Sequence, residues 1–163
     1  MSVTTGKVAP AFELASMEGK SYSLQAGLAK GPVLTAFFKV TCPTCQYTFP
    51  FVERLYQQFH DKGIQIWAIS QDNAPDSQRF AKDYGVTFPV LIDEYPYELS
   101  RAYGIKYVPS LLLIAPDGRV EITSDGFCKA ELLAIQQSLA QSLSTTPPPL
   151  FRASDRVPEF KPG

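Results

Sequence analysis

Two cysteines separated by two residues, Cys42 and Cys45, are the side chains in this chain best suited to covalent chemistry. They follow an apolar run at residues 33–38 and precede a segment with helical periodicity. A cysteine in the first turn of a helix faces unpaired backbone N–H groups and the positive end of the helix dipole, and both favour thiolate over thiol. The second thiol, one turn along, can attack the first once that has bonded to a partner. We therefore predict a reversible dithiol/disulfide couple.

Two other uses of a Cys-x-x-Cys pair fit the sequence less well. A structural zinc site needs a second pair of ligands, but the chain holds only one further cysteine, Cys128, and one histidine, His60. An inert structural disulfide is typical of stapled loops, whereas this pair lies between an apolar run and a helical segment. We therefore expect redox chemistry without metal ligands, and no motif in the sequence requires a nucleotide, flavin or other cofactor.

Size and charge restrict the remaining functional classes. The chain has 163 residues and a formal net charge of −1. This length predicts one domain with a sizeable core, and the near-neutral charge gives no basic surface for nucleic acid. No segment is apolar for long enough to span a bilayer, and the N-terminus lacks the apolar core of a signal peptide. We expect no nucleic-acid or membrane partner, and a cytoplasmic location as written, or an extracytoplasmic one if a leader was removed.

Apolar runs alternate with segments of helical periodicity, an order typical of an α/β sheet covered by helices. We predict strands at 22–24, 33–38, 64–70, 90–93, 110–115 and 120–124. We predict helices at 42–61, 74–84, 98–103 and 130–143. Asn73 is a predicted N-cap for the second of these helices, with Gly85 at its end.

The character of the sequence changes after Leu143, where three prolines at 147–149 cannot continue a helix. We assign residues 1–144 to the domain and residues 145–163 to a proline-rich C-terminal tail. The tail is either flexible and polyproline-like, or it lies extended over the domain. The second alternative rests on four apolar residues, Leu150, Phe151, Val157 and Phe160, and the sequence leaves both alternatives open.

Three segments of the sequence carry motifs that occur together in one protein superfamily. Residues 6–14 are similar to its Ala-Pro-x-Phe-x-Leu opening. Within residues 37–50, the helix proline Pro50 falls eight positions after the first cysteine, as it does in that family. Residues 103–114 resemble the second hallmark, a cis-proline beside the Cys-x-x-Cys pair at the start of a strand. Together the three segments resemble the thioredoxin-like redoxin superfamily of AhpC/TSA type. Within it, the N-terminal extension and an extra unit at 74–93 make the TlpA/ResA-like thiol-disulfide oxidoreductases the best match.

The resemblance implies a thioredoxin-like fold, with a central mixed β-sheet flanked by helices, an N-terminal hairpin extension and an extra βα insertion. It implies exchange of electrons with partner-protein disulfides through Cys42, with Cys45 resolving the mixed disulfide. The expected partners are protein disulfides or dithiols and an upstream thiol donor, and the chain is expected to be a monomer. Substrate binding is assigned to five residues: Val108 and Pro109, which form the cis-proline dock, and Thr41, Pro43 and Thr44.

The sequence also departs from the family pattern. The Trp, buried Asp and Glu found in many thioredoxin-like proteins are replaced here by Thr41, Ala36 and Thr48, so neither the redox potential nor the direction of electron flow follows from the resemblance. The Cys-Pro-Thr segment is similar to the peroxidatic motif of peroxiredoxins, which leaves a thiol peroxidase as an alternative. The Thr and Pro that accompany that motif are Lys39 and Thr35 here. A redox-regulated binding module without turnover is a further alternative.

Several other residues are weaker candidates. Cys128 falls at the predicted N-cap of the last helix, with Glu131 at the capping-box position, and we interpret it as structural rather than redox-active. Asp72 follows a strand, where we predict a turn or cap role. An apolar collar around the disulfide, with at least one member in the core, is predicted for Tyr47, Phe49 and Tyr107.

Overall fold

A five-stranded mixed sheet lies at the centre of the fold in the computed structural model, which describes residues 2–163. The strands are β1 (Glu13–Ala15), β2 (Ser21–Ser23), β3 (Val33–Phe38), β4 (Gln65–Ser70), β5 (Val90–Ile92), β6 (Ser110–Ile114), β7 (Val120–Asp125), β8 (Phe127–Cys128) and β9 (Phe160–Lys161). The helices are α1 (Leu24–Leu28), α2 (Pro43–Phe59), α3 (Ala74–Tyr84), α4 (Glu98–Ala102) and α5 (Lys129–Ser142), followed by a 3-10 turn at Ala153–Asp155. Within residues 2–163, none of the helices combines the length and apolar character needed to cross a membrane.

The central sheet has the strand order β5-β4-β3-β6-β7. Strands β3, β4 and β5 run parallel, whereas β6 and β7 pair antiparallel, which confirms the predicted mixed α/β sheet. Strand β3 is buried along its whole length, because both faces of the sheet are covered. Leu34 and Phe38 belong to the core shared with α2, α3 and α5, while Val33 and Phe37 belong to the core shared with α1 and α4.

The N-terminal segment forms the hairpin that the resemblance implied, since β1 and β2 pair antiparallel. The predicted strand at 22–24 is wrong at its end, because Leu24 begins the short helix α1. The hydroxyl of Ser23 accepts the Ala26 N–H at 3.1 Å and so caps a helix at that point. Ser23 was therefore a local signal for the start of α1, which the apolar pattern alone did not indicate.

Helix α3 and strand β5 form the extra unit between β4 and β6. The predicted cap is present, since Asn73 Oδ1 accepts the Asp76 N–H at 2.9 Å. Gly85 ends the helix with a φ of +69°, a conformation that glycine adopts without steric cost. The local signals at both ends of this helix were therefore sufficient to predict its bounds.

The tail at residues 145–163 lies along the domain, as in the second of the two alternatives. Leu150 is 1% exposed and belongs to the core, and the Phe151 ring lies 5.1 Å from the Phe51 ring on α2. Further along, β9 pairs antiparallel with β8. Phe160 differs from its three apolar neighbours in the tail, because its side chain remains 57% exposed.

An ion pair fastens the tail to α2. Arg54 donates two hydrogen bonds to the Asp155 carboxylate, from Nη1 at 2.7 Å and from Nη2 at 3.0 Å. Arg54 Nη1 also donates to the Leu150 carbonyl at 3.0 Å, and Arg152 N–H donates to the same carboxylate. The Arg54 hydrogen bond, helped by the Arg152 N–H, lowers the pKa of Asp155 to about 2.

We expect Asp155→Asn to lower the free energy of unfolding at neutral pH, and we expect this difference between the two proteins to disappear in acid. The folded pKa is lower than the unfolded one, so the pair stabilises the fold fully above pH about 4 and loses this contribution as the pH falls towards about 2. Urea unfolding of both proteins across this range measures the difference, with Asp61→Asn at an exposed carboxylate as the matched control. A difference that stays constant down to the lowest pH would contradict the assignment.

Candidate active site

The two cysteines lie where β3 ends and α2 begins. Cys42 is the N-cap of α2, and its Sγ accepts the backbone N–H of Cys45 at 3.1 Å. Pro43 occupies the first turn, where its missing N–H costs no hydrogen bond. N–H groups directed at a sulfur stabilise negative charge that develops on it during exchange. The strand-to-helix setting predicted for the pair is therefore present.

The two thiols differ in their surroundings. Cys42 is half-buried, whereas Cys45 is 0% exposed, and both are free in the structure. Burial raises the pKa of the Cys45 thiol, and its hydrogen bond with the Cys42 side chain raises it further. Cys45 therefore retains its proton while Cys42 is the sulfur that a partner can reach.

The start of β6 faces the same sulfur from the other side. The Val108–Pro109 peptide bond is cis, as the resemblance implied. The Cys42 thiol donates to the Val108 carbonyl at 3.4 Å, although the two residues are far apart in sequence. The adjacent Pro109 carbonyl accepts the Gly126 N–H at 2.8 Å, which fixes this backbone against β7. The cysteine pair and the predicted docking residues thus form one site.

Two side chains hold the loop that connects β3 to Cys42. The Val40 N–H donates to Asp72 Oδ2 at 2.8 Å, and Gln46 Nε2 donates to the Val40 carbonyl at 2.9 Å. Asp72 thus positions the loop before the nucleophile, a role that sequence reasoning missed when it predicted a turn or cap. The usable signal was that Asp72 follows β4, because parallel strands end at a common edge of the sheet.

The three further residues assigned to substrate binding surround Cys42. Thr41 and Pro43 are exposed on either side of it. Thr44 is half-buried, and its hydroxyl donates to the Pro162 carbonyl at 2.6 Å. A residue of the tail is therefore in direct contact with the Cys-x-x-Cys segment.

The predicted apolar collar is only partly formed. Phe49 is fully buried in the core, as expected of at least one member. Tyr47 is half-buried, with its ring 5.1 Å from the ring of Phe127 and with the Lys161 ammonium group 4.8 Å from its centroid. Tyr107 is mostly exposed. The aromatic surface at the site is therefore formed by Tyr47 and Tyr107.

Cys128 caps α5 only through its backbone, without a side-chain hydrogen bond. The predicted capping box is not formed, because the Glu131 carboxylate accepts a hydrogen bond from Ser124 Oγ at 2.8 Å. Burial raises the pKa of the Cys128 thiol. In the described part of the chain, no cluster of three or more His, Cys, Asp or Glu residues has a geometry suited to a metal ion.

Comparison with known families and proteins places this site in context. Residues 5–123 match the model of the AhpC/TSA family. The thiol-disulfide oxidoreductase ResA of Bacillus thuringiensis subsp. konkukian is 34% identical over 116 residues, which are 71% of this chain and 66% of that protein. The ResA of Geobacillus thermodenitrificans is 31% identical over 121 residues, which are 74% of this chain and 68% of that protein. The match thus spans slightly less than two thirds of the first of these relatives.

Solved structures share the fold. The thioredoxin domain of a thiol-disulfide oxidoreductase from Bacteroides vulgatus has a TM-score of 0.75 at 23% identity, covering 85% of this chain and 99% of that one. A Chlorobium tepidum protein provisionally named thiol:disulfide interchange protein DsbE has a TM-score of 0.77 at 27% identity. The match covers 87% of this chain and 99% of that one. These neighbours confirm the predicted thioredoxin-like fold, and the names of the relatives support disulfide exchange more than the peroxidase alternative. The chain therefore belongs to the AhpC/TSA family, within which it is similar to ResA-type thiol-disulfide oxidoreductases.

Proposed function

We propose that the chain is a thiol-disulfide oxidoreductase that exchanges electrons with partner proteins through Cys42 and Cys45. The observation that carries this proposal is the position of Cys42 Sγ between the Cys45 N–H at 3.1 Å and the Val108 carbonyl at 3.4 Å. The first group stabilises charge on the reacting sulfur. The second belongs to the backbone on which an extended partner chain would bind.

Exchange proceeds in two steps. Cys42 gives up its proton and attacks one sulfur of the partner disulfide, forming a mixed disulfide, and the partner's other sulfur leaves as a thiolate that takes up a proton. Cys45 then gives up its proton and attacks Cys42 Sγ, and the partner's first sulfur leaves in the same way. The partner has gained two electrons and two protons, and the chain holds a Cys42–Cys45 disulfide. An upstream thiol donor reduces this disulfide, and the same steps in reverse oxidise a dithiol partner.

The burial of Cys45 sets the order of these steps. Its raised pKa keeps it protonated in the reduced protein, so it does not compete with Cys42 for the incoming disulfide. Once Cys42 carries the partner, Cys45 is the thiol next to the mixed disulfide, because it lies one helical turn along and its backbone N–H is 3.1 Å from Cys42 Sγ. We assign the nucleophile to Cys42 and the resolving thiol to Cys45 on this basis.

The partner chain docks on the residues around Cys42. We propose that Val108 and Pro109 contact its backbone, and that three residues next to the nucleophile, Thr41, Pro43 and Thr44, contact its side chains. In this proposal residues 1–144 carry out the exchange as a monomer, and residues 145–163 are a tail added to that domain.

We expect the reduced protein to react at least about a hundredfold faster with a protein disulfide than with hydrogen peroxide, because the site lacks the hydroxyl donor of peroxiredoxins. Lys39 replaces that threonine, and the Thr35 hydroxyl is buried with the Leu112 carbonyl as its acceptor. Stopped-flow fluorescence or quenched alkylation compares the two rates at equal reagent concentration. A faster peroxide reaction, with sulfenic acid trapped on Cys42, would instead establish a thiol peroxidase.

A further inference from the structure

We infer that residues 160–163 are an internal occupant of the partner-docking surface beside Cys42, and that a protein substrate must displace them. The inference rests on the proposed function, because it concerns the surface on which a partner chain would bind. It gives the last part of the tail a role in access to the cysteine pair, separate from the packing of the rest of the tail.

The first observation is a set of contacts between the tail and the start of α2. Strand β9 adds to β8, with Lys161 opposite Phe127. The Pro162 carbonyl accepts the Thr44 hydroxyl at 2.6 Å, and the Lys161 ammonium group lies 4.8 Å from the centre of the Tyr47 ring. The segment therefore binds as an extended peptide does, by pairing with the short strand β8 and contacting side chains beside it.

The second observation is the close approach of the tail to the docking carbonyl. A Cβ built on Gly163 would overlap the Val108 oxygen and lie 3.0 Å from the Val108 carbonyl carbon. That same oxygen accepts the Cys42 thiol. Gly126 approaches as closely, since a Cβ there would overlap the Lys161 oxygen. While Gly163 occupies this place, the backbone of a partner chain cannot reach Val108.

The tail is anchored upstream of this segment and held more weakly within it. Leu150 is buried in the core and Asp155 is paired with Arg54, whereas the Phe160 side chain is largely exposed. Burial of apolar side chains supplies most of the stability, whereas a two-residue strand with one side-chain hydrogen bond and one cation–π contact supplies little. Residues 160–163 can therefore open locally while the rest of the tail remains packed.

The occupant also indicates the kind of substrate that replaces it. A competing segment must be extended, must pair with the edge of β8, and must place a small residue against the Val108 carbonyl, as Gly163 does. Disulfides in extended or unfolded segments of proteins meet these requirements. Small thiol reagents need no such surface, because Cys42 itself is half-exposed.

The test compares the full chain with a variant lacking residues 160–163. Two rates are measured: reduction of insulin with dithiothreitol as electron source, and labelling of Cys42 by iodoacetamide, read by peptide mass. If the segment occupies the surface most of the time, the variant should reduce insulin, supplied at limiting concentration, about tenfold faster than the full chain. The rate at which iodoacetamide labels Cys42 should differ by less than about twofold.

Two point variants accompany the truncation. Phe160→Ala, at an exposed side chain, retains the backbone contacts and should reduce insulin at the rate of the full chain. Lys161→Ala removes the contact between the ammonium group and the Tyr47 ring and should raise the insulin rate about threefold, as expected for one cation–π contact between half-buried side chains. This second variant keeps the chain at full length, and so it also decides the question if the truncated chain misfolds.

Equal or slower insulin reduction by both the truncated and the Lys161→Ala proteins would overturn the inference. Acceleration of insulin reduction and iodoacetamide labelling by the same factor would also overturn it, since the tail would then cover the sulfur rather than the docking surface. If neither the full chain nor the truncated chain reduces insulin although Cys42 is labelled, the proposed function itself fails, and the inference falls with it.

Discussion

Replacement of Cys45 by serine should trap the mixed disulfide between Cys42 and a partner protein and lower turnover at least about a hundredfold. Cys42 remains half-exposed in this variant and can still attack. A serine hydroxyl cannot resolve the product, and the position is otherwise closed to solvent, because Cys45 is 0% exposed. Non-reducing gels and peptide mass should therefore show the partner attached to Cys42.

Cys42→Ser should give the opposite pattern, with no mixed disulfide and no turnover. The remaining active-site thiol at Cys45 is buried, and burial raises its pKa, so it is neither accessible nor ionised. Cys128→Ser is the matched control, because this cysteine has no side-chain cap to lose, and we expect its turnover to equal that of the unmodified protein. Partner attached to Cys45 in the Cys42→Ser protein would reverse the two assigned roles.

Truncation after Ser144 should lower the free energy of unfolding by about 3 kcal/mol, since burying one large apolar side chain contributes about 2 kcal/mol and the half-buried Phe151 adds to it. Leu150 is the fully buried residue of the tail. For a chain of this size, the loss corresponds to a fall of about 10 °C in the midpoint of thermal unfolding. Circular dichroism melts of the two proteins at one pH measure this difference.

Loss of polar partners adds to the effect of this truncation. The Gln136 side chain is buried and donates to the Pro148 carbonyl at 2.9 Å, and Arg54 donates to both Leu150 and Asp155. Gln136 Nε2 keeps a second acceptor in Gln58 Oε1 at 2.8 Å, and Arg54 is only half-buried, so the lost hydrogen bonds add a smaller cost than the lost apolar burial.

Two controls separate this effect from the loss of residues 160–163. The chain lacking only residues 160–163 keeps Leu150 and Asp155, and its midpoint should fall by no more than about 2 °C, since it loses little buried apolar area. Leu150→Ala at full length should reproduce most of the destabilisation, as expected for a core leucine. An unchanged midpoint after truncation at Ser144 would show that the tail does not stabilise the domain in solution.

The sequence alone determined the features of this protein that depend on local signals. Residues 33–38 are apolar throughout, and they form the buried central strand as predicted. Asn73 and Gly85 bound α3 because a cap acceptor and a left-handed turn act within a few residues of themselves. The spacing of Cys42 and Cys45 at a strand-to-helix junction indicated the redox site, since one helical turn brings such residues together.

Tertiary structure alone decided how distant residues meet at the site. Thr44 and Pro162 are separated by 118 positions and Val40 and Asp72 by 32, and no local pattern specifies either hydrogen bond. The tail was open to two interpretations from sequence, because its apolar residues have no regular period and its prolines favour an extended chain in either case. Its path was settled by contacts with surfaces that exist only after the sheet and α2 have packed: the core beneath Leu150, the guanidinium group of Arg54 and the edge of β8.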